Sequence, residues 1–313
     1  NGQTGIVANS NFHTESAEIT PASADLLWTT SESLITSVAY ESASRRISVR
    51  SSGGEGNAVI AARDEEGNII WSWHIWCTDI PVDQTYVNSI GTFTVQDRNL
   101  GATRADRGVD DEWKESMGVY YQWGRKDPFV RGLYTRQDVP FSVQESVSSP
   151  YVYAYNGTIW NSDSNSNLWS RTRKTIYDPC PLGYRVPSKD IWHGMTKTGG
   201  YSRSREEFNV SGDYDQGWHF LYDGQQVSWY PSTNYISNYG DYSESSYSYM
   251  WSSDLQTNLG FGSGWIEPAT TSNFAYGFNV RCAKDEDADA ALVLVEGIDN
   301  VTSSSATLCG YAY

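Results

Sequence analysis

The stretch Tyr177-Asp-Pro-Cys-Pro-Leu-Gly-Tyr-Arg-Val-Pro-Ser-Lys-Asp-Ile-Trp192 decides how the larger part of this chain folds. Pro179 and Pro181 flank Cys180, so the backbone there is stiff and cannot be helical. Ser188 stands where a helix N-cap belongs, and the apolar Ile-Trp pair that ends the stretch starts a buried face. We therefore predict a rigid segment followed by a short helix.

A distant partner of this stretch is Gly277-Phe-Asn-Val-Arg-Cys282, whose alternating side chains predict a strand. A bridge between Cys180 and Cys282 would close a loop of about 100 residues and add about 4–5 kcal/mol in the entropic model. The four cysteines allow three fully paired connectivities, and spacing alone does not choose among them. We predict the Cys180–Cys282 bridge and leave Cys77 and Cys309 open.

The composition favours a β-rich exported protein. The 313 residues carry a formal charge of −16, which disfavours nucleic acid and anionic lipid as partners. With 13 Trp and 22 Tyr among many Ser, Thr, Asn and Gly, the chain suits a loop-rich surface protein. No apolar run approaches the roughly 18 residues of a membrane span, so we expect membrane attachment only through an anchor outside this chain.

Residues 1–90 are predicted to form a small antiparallel β-sandwich. Its strand candidates are Leu26–Trp28, Ile35–Tyr40, Arg46–Arg50, Ala58–Ala62 and Ile69–Trp76. The turn-forming residues 64–68 join the last two as a β-hairpin.

Residues 91–285 are predicted to form a second domain with few helices and long loops. It begins with a strand at Thr92–Val95, followed by a helix at Asp111–Gln122. Strands return at Tyr249–Trp251 and Phe274–Cys282. Long loops in a compact domain are usually functional or heavily tied down.

Residues 286–313 read as an acidic linker and the opening strands of a further β-sandwich module, similar to a fibronectin type III repeat. The last residues read as a strand that stops abruptly. We expect this chain to be part of a longer protein.

Six motifs occur in an order that resembles one known family. They are Trp71-Ser-Trp-His-Ile-Trp76, Asp97-Arg-Asn-Leu-Gly-Ala102, Tyr120-Tyr-Gln-Trp-Gly-Arg-Lys-Asp-Pro-Phe129, Cys180-Pro-Leu-Gly-Tyr-Arg-Val-Pro187, Met250-Trp-Ser-Ser253 and Gly277-Phe-Asn-Val-Arg-Cys282. Over residues 55–285 the chain resembles the Fibrobacter succinogenes major paralogous domain of Bacteroidetes surface lipoproteins and fimbria-associated proteins. The ordered set is specific, whereas any single motif is not.

The resemblance implies a C-type-lectin-like fold, of the α+β class with mostly antiparallel strands, beside the all-β N-terminal part. It also implies export to the cell surface, outer-membrane anchored or fimbrial, and a role in adhesion or glycan recognition. The related formylglycine-generating enzymes use a cysteine pair near the end of the domain. Only Cys282 stands near that place here, so we predict no such activity.

The sequence gives little support for a catalytic site. Asp106, Asp110, Asp111 and Glu112 form the best acidic cluster, but a solvated loop and a helix N-terminus explain it better. His74 lies in an apolar strand, which favours a hydrogen-bonded core histidine over a catalytic one. We predict no enzyme activity and no catalytic residue.

Metal sites find no better support. The segment Asp163-Ser-Asn-Ser-Asn167 begins like a calcium loop, but Leu168 replaces the expected glycine and Lys174 the final glutamate. The Glu267-Pro268-Ala269 sequence lacks the third residue of a lectin calcium motif. The sequence contains no CxxC pair for zinc. We predict no metal and no cofactor.

Tyrosines crowd residues 218–249 among Ser, Asn, Asp and Gly, the mixture found in good binding surfaces. The residues assigned to ligand binding are Tyr230, Tyr235, Tyr239, Tyr242 and Tyr247. The competing interpretation is that these rings pack under a loop-rich surface. Arg125, Lys126, Arg131 and Arg136 are interrupted by acids and do not predict a nucleic-acid site.

The sequence therefore predicts a cell-surface or fimbria-associated adhesin that recognises a glycan, or a host or bacterial surface protein, through this aromatic region. Two alternatives stay open. One is a structural component of a pilus or surface assembly, which would contact other pilus subunits through an exposed edge strand. The other is a polysaccharide-processing enzyme with two facing carboxyl groups in a cleft.

Overall fold

A computed structural model describes residues 3–4, 17–163, 167–222, 225–285, 298–302 and 305–308. Strands account for 40% of the chain and helices for 8%, so the fold is mostly β, with several antiparallel sheets and few helices. This confirms the coarse fold class. Within the described ranges, no helix is long and apolar enough to cross a membrane.

The strands in chain order are β1 (Gln3–Thr4), β2 (Ala17–Glu18), β3 (Ser23–Thr29), β4 (Ile35–Glu41), β5 (Arg46–Ser51), β6 (Gly56–Arg63), β7 (Ile69–Cys77), β8 (Asp83–Val87), β9 (Thr92–Gln96), β10 (Tyr121–Gln122), β11 (Thr135–Gln137), β12 (Val152–Ala154), β13 (Tyr184–Arg185), β14 (Val210–Ser211), β15 (Gly217–Tyr222), β16 (Gln225–Pro231), β17 (Tyr235–Ile236), β18 (Tyr242–Ser243), β19 (Ser248–Trp251), β20 (Thr257–Gly262), β21 (Trp265–Thr271), β22 (Gly277–Phe278), β23 (Ala283–Lys284), β24 (Ile298–Thr302) and β25 (Ser305–Leu308). The helices are α1 (Val143–Ser148) and the 3-10 helices Glu112–Ser116, Lys189–Met195 and Arg205–Glu207.

All five strands predicted before residue 77 are confirmed, as β3 to β7. The hairpin between β6 and β7 is also present: Asp64 N–H donates to the Asn68 carbonyl at 3.0 Å, and Gly67 has a φ of 85°. One sheet has the order β3-β6-β7, and β4 pairs with β5 in another. Apolar side chains of both sheets meet in one buried cluster that includes Leu34, Val49 and Ile60.

Strands β24 and β25 lie in the same sheet as β5. Ala306 pairs with Val49 and Thr307 with Ser48, which gives the order β24-β25-β5-β4. The sequence suggested that residues 286–313 open a separate module. The described strands of that range add to the sheet of β4 and β5, with β25 paired to β5. The further module stays a prediction.

The predicted boundary between residues 90 and 91 falls in the turn between β8 and β9. These strands pair along their whole length, from Asp83 with Gln96 to Val87 with Thr92. The adjoining strands give one sheet with the order β13-β23-β9-β8. It therefore joins the start of the predicted second domain, the strand within the Cys180 motif, and the strand that follows Cys282.

A disulfide links Cys180 to Cys282 beside this sheet, 102 residues apart in the sequence. Both cysteines are buried in a cluster with Trp123, Trp169 and Trp251. The short helix predicted after the bridge is confirmed as the 3-10 helix Lys189–Met195. The Ser188 Oγ accepts the Asp190 N–H at 3.2 Å, as expected of an N-cap.

The helix predicted at Asp111–Gln122 is wrong beyond its first turn. Only a 3-10 helix over Glu112–Ser116 forms. Gly118 has a φ of 77°, and a Cβ at that position would lie 2.6 Å from the Leu100 carbonyl oxygen. The chain turns there and continues into β10, because a close backbone contact replaces the next helical turn.

Candidate functional site

Tyr230 is not at the surface, which corrects its assignment to ligand binding. Its side chain is fully buried, its hydroxyl lies 2.9 Å from that of Tyr86, and the Arg281 guanidinium stacks on its ring at 3.8 Å. Side chains alternate along β16, and at Tyr230 they face the core, where Phe220 packs edge-on at 5.2 Å. A ligand at the surface does not reach this ring.

Tyr242 is half-buried and its hydroxyl is occupied by protein partners. Asn234 Nδ2 donates to it at 3.0 Å, and the hydroxyl of Tyr120 lies at 3.3 Å. Arg131 lies over the ring at 4.7 Å from its centroid. Since these contacts hold the turn at Asn234, which has a φ of 59°, we assign Tyr242 a structural role.

Tyr235 lies in an open cavity with a volume of about 250 Å³, which we call the aromatic groove. The residues that line it are Tyr235, Tyr249, Thr271, Ser272, Asn273, Tyr276 and Phe278. Four rings and three small polar side chains form this lining, and none of the seven carries a formal charge at neutral pH.

The rings of the groove pack closely on one another. Phe278 is buried, and the rings of Tyr249 and Tyr276 stack on it with centroids at 4.8 Å and 5.3 Å. Tyr235 meets Tyr249 edge-on at 5.4 Å and lies 6.0 Å from Tyr276. Phe278 therefore forms the floor, and the three partly exposed tyrosines form the walls.

Backbone pairing of distant segments places these rings together. Ile236 in β17 pairs with Gly277 in β22, and Met250 in β19 bridges to Asn279. A Cβ at position 277 would lie 2.9 Å from the Ile236 Cβ, so glycine is required for this approach. The pairing sets the rings of residues 235, 249 and 276 around the ring of residue 278.

The phenol hydroxyls of the groove lack protein partners. Across the described residues, those of Tyr235, Tyr249 and Tyr276 form no hydrogen bond with the protein. Burial raises the pKa of Tyr249 to about 12, with smaller effects from Tyr235 and Tyr247. Burial also raises the pKa of Tyr276. These hydroxyls stay protonated at neutral pH, so each can both donate and accept a hydrogen bond.

The polar rim is partly held in place. Asn258 Nδ2 donates to the Ser272 Oγ at 3.0 Å, which leaves the serine hydroxyl hydrogen free to donate. Asn273 Nδ2 donates to the Gly157 carbonyl at 3.3 Å. The rim thus presents oriented hydroxyl and amide groups beside apolar ring faces, an arrangement suited to a neutral polyhydroxylated ligand.

Tyr239 and Tyr247 lie outside the lining of the groove but near it. Tyr239 is 58% exposed and Tyr247 44% exposed. Tyr239 contributes to the raised pKa of Tyr276, and the Tyr247 ring lies 5.6 Å from that of Trp265. Of the five tyrosines assigned from the sequence, Tyr235 is in the groove and these two flank it.

Six of the seven lining residues were not assigned to the site from the sequence: Tyr249, Thr271, Ser272, Asn273, Tyr276 and Phe278. The available signal was the alternation of Phe274, Tyr276 and Phe278, which marks a strand with one aromatic face.

The basic residues do not form a surface patch. Arg125 and Lys126 are buried, and Lys126 pairs with Asp127 at 2.6 Å. Arg131 and Arg136 are exposed and form ion pairs with Glu244 and Asp241, respectively. These pairings leave no cluster of free cations for nucleic acid at these four positions.

The acidic cluster at residues 106–112 is mostly engaged in ion pairs. Arg104 lies near Asp106 and 2.9 Å from Glu112, and Lys114 contacts Asp111 at 2.6 Å. Asp106, Asp111 and Glu112 thus form ion pairs at the surface, which agrees with the solvated-loop interpretation.

His74 is hydrogen-bonded within the core, as the sequence indicated. Its Nε2 lies 2.9 Å from Asn57 Oδ1, and its Nδ1 lies 3.1 Å from the Tyr121 hydroxyl. Burial lowers the pKa of His74 to about 3, so the ring is neutral at physiological pH.

The calcium-loop candidate falls partly outside the described residues, at 164–166. Its first member, Asp163, accepts the Val143 N–H at 2.7 Å, at the start of α1. Among the described residues, no three His, Cys, Asp or Glu side chains lie together in a way that could hold a metal ion. Cys77 is half-buried and free, and Cys309 lies outside the described residues.

The chain was compared with protein-family models, with curated proteins and with solved structures, and nothing matched in any of the three comparisons. The family resemblance read from the six motifs therefore stays a prediction.

Proposed function

We propose that this chain is a cell-surface or fimbria-associated recognition protein that binds a glycan in the aromatic groove. In this proposal the N-terminal sheets are a β-sandwich, and the following residues are a C-type-lectin-like domain of the resembled family. The observation that carries the proposal is the open groove of about 250 Å³, where Tyr235, Tyr249 and Tyr276 surround Phe278 with hydroxyls that no described residue engages.

The chemistry of the groove fits a sugar. The flat faces of the tyrosine rings can cover the apolar C–H face of a sugar ring, while the phenol hydroxyls reach its hydroxyl groups. Ser272 and Asn273 add a donor and an amide at the rim. Because these rings already pack on Phe278, little side-chain freedom is lost when a ligand binds.

A glycan-array screen tests the proposal, run once with calcium and once with a chelator. We expect binding to a defined glycan in the wild type, and loss of that binding in Tyr235→Ala. Tyr201→Ala is the matched control, since Tyr201 is also exposed and tyrosine but lies outside the groove. A blank array under both conditions would exclude a glycan-binding role and favour a protein partner.

A specific observation also supports the second candidate, a structural component of a surface assembly. Strand β8 is the last strand of its sheet, and the segment around it exposes Ile80, Val82, Val87 and Ile90. Edge strands with exposed apolar side chains favour pairing with another chain. If this candidate holds, Val82→Lys with Val87→Lys should abolish assembly and leave glycan binding intact, as measured by sedimentation and by the array.

The third candidate, polysaccharide processing, needs two facing carboxyl groups. The seven residues that line the groove contain no carboxyl group. The groove therefore offers this candidate no acid and base, and we do not pursue it at this site.

A further inference from the structure

The partly exposed rings continue beyond the groove on both sides. On one side, Tyr249 lies 6.1 Å from Trp265, which lies 5.6 Å from Tyr247. On the other side, Tyr239 lies over Gly157, whose carbonyl accepts a hydrogen bond from the groove residue Asn273. We call the whole set the aromatic row: Tyr239, Tyr276, Tyr235, Tyr249, Trp265 and Tyr247.

Glycines make room for half of this row. Sheet β19-β20-β21 has Tyr247, Tyr249 and Trp265 on one face, and between them β20 contributes Gly260 and Gly262. A Cβ at Gly260 would lie 2.9 Å from the Trp265 ring, and one at Gly262 would lie 2.8 Å from the Tyr247 ring. The Trp265 and Tyr247 rings therefore occupy the space that side chains at positions 260 and 262 would fill.

The other end of the row is also supported by a glycine. A Cβ at Gly157 would lie 3.1 Å from the Tyr239 ring, and the carbonyl of the same glycine accepts hydrogen bonds from Asn238 and Asn273. Since Asn273 lines the groove, this loop ties Tyr239 to the groove's rim. The row is thus one connected surface on both sides of the cavity.

The polar tips along the row are unengaged. In the described part of the chain, the hydroxyls of Tyr239 and Tyr247 and the indole N–H of Trp265 form no hydrogen bond with protein, like those of the groove. Elsewhere in the domain, tyrosine hydroxyls commonly do: Tyr134 donates to the Gly240 carbonyl at 2.9 Å, and Tyr214 to the Ser246 carbonyl at 2.7 Å. Donors and acceptors therefore repeat along the whole row.

The charge around the row disfavours an acidic ligand. The groove lining is uncharged, Glu267 lies close enough to influence the pKa of Tyr249, and the chain carries a formal charge of −16. The exposed Arg136 beside Gly240 is already paired with Asp241. An anionic polymer would meet repulsion here, and Arg136 is not free to offset it.

We infer that the aromatic row binds an extended, uncharged polysaccharide along its length, with one sugar unit in the groove and further units on the flanking rings. This inference rests on the proposed function. It adds the substrate class, a neutral chain of several units, and excludes a single terminal sugar or an acidic glycan as the preferred ligand.

Calorimetric titration with oligosaccharide ladders tests it. The probes are neutral gluco-, manno-, galacto- and xylo-oligosaccharides from the monosaccharide upward, and oligogalacturonates as the acidic counterpart. We expect the affinity for one neutral series to rise with chain length until the row is covered. We expect oligogalacturonates of the same length to bind more weakly.

Variants at the ends of the row sharpen the test. Tyr239→Ala and Tyr247→Ala should each weaken binding of long oligomers by about two- to tenfold, the range of one aromatic contact, and leave the shortest binding oligomer unaffected. Tyr235→Ala should weaken all lengths. Tyr201→Ala is the exposed control, and an unchanged thermal midpoint in each variant shows that the fold is retained.

The outcomes separate the inference from the proposed function. If a monosaccharide binds as tightly as the longer oligomers, or if oligogalacturonates bind more tightly than neutral oligomers, the inference is overturned. Glycan recognition as such is then retained. Equal losses for all lengths in the two end variants also overturn it. No binding to any neutral or acidic ladder overturns both, and capture by a peptide library in that case assigns the row to a protein partner.

Discussion

Two groups of tyrosines in this chain differ in whether their hydroxyls have protein partners. Beneath the surface, Tyr86 and Tyr230 hydrogen-bond to each other, and Arg281 covers the Tyr230 ring. In the groove, Tyr235 and Tyr249 pack ring on ring, but no described residue engages their hydroxyls. Both places are rich in aromatic rings. The hydroxyl partner, and not the density of aromatic residues, separates a packed core from a surface ready for a ligand.

Removing the disulfide should have the largest effect, because it weakens the frame beneath both groups. Cys180→Ser with Cys282→Ser opens a loop spanning 102 residues in the sequence. We expect the free energy of unfolding to fall by about 4–5 kcal/mol in the entropic model, as measured by urea denaturation. Cys77→Ser is the control, since Cys77 is not bridged and should change stability little. Equal losses in both variants would contradict this account.

The buried group should also depend strongly on Arg281. Its guanidinium donates to Asn99 Oδ1, Ser228 Oγ and the Trp229 carbonyl at 2.7–3.0 Å. Arg281→Met leaves these buried acceptors unpaired, so we expect a loss of about 3 kcal/mol in the free energy of unfolding. Arg136→Met, which breaks an exposed ion pair, should cost at most about 1 kcal/mol. A similar cost for both would mean that the buried network is not stabilising.

Acid should weaken the core before it affects the groove. The pKa of His74 is lowered to about 3 in the folded chain, below its usual value, so the unfolded chain binds more protons between these values. The stability contributed by neutral His74 is present in full above about pH 6.5 and falls as the pH falls toward 3. Between pH 7 and pH 5 we expect a loss of about 2 kcal/mol from this group.

Urea denaturation at both pH values measures this loss, and His74→Gln should remove most of it. Tyr249 and Tyr276 in the groove have raised pKa values and stay neutral over the same range. Ligand affinity per folded molecule should therefore not change between pH 5 and pH 7. A pH dependence that persists unchanged in His74→Gln would assign it to another group.

The smallest expected change in stability comes from removing one tyrosine hydroxyl from the buried group or from the groove. This pair of variants compares the two groups most directly. Tyr230→Phe loses the hydrogen bond to Tyr86 and should destabilise the fold by about 1 kcal/mol without altering ligand binding. Tyr235→Phe loses a hydroxyl with no described partner, so stability should stay within about 0.5 kcal/mol while affinity falls. The reverse pattern in denaturation and calorimetry would place the ligand elsewhere.

Local sequence patterns predicted a good part of the fold. The alternation and turn residues between positions 23 and 77 specified β3 to β7, since each strand and its turn lie close together in the chain. Ser188 likewise indicated the start of the helix Lys189–Met195, because an N-cap residue directly precedes its helix. The helix at Asp111–Gln122 failed because a contact of Gly118 with Leu100 ends it, and no pattern within the helix reveals that contact.

The groove was only partly predictable. Tyr235 was identified from the composition of its loop, but Tyr230 carried the same signal and is buried by Tyr86, 144 residues away in the sequence. Thr271, Ser272 and Asn273 lie at the end of β21 and after it, and nothing in their local sequence indicates that they line the groove. The pairing of Ile236 with Gly277 is a long-range backbone contact, and side-chain periodicity does not report such contacts.

The sequence by itself determined the β-rich class, the early strands, the capped short helix and the abundance of aromatic residues. Each of these follows from residue type and spacing within a short window. The tertiary structure decided which tyrosines are buried and which line the open groove, and it brought β17, β19 and β22 together around that groove. Burial and hydroxyl partners are set by residues far apart in the chain, so only the folded backbone fixes them.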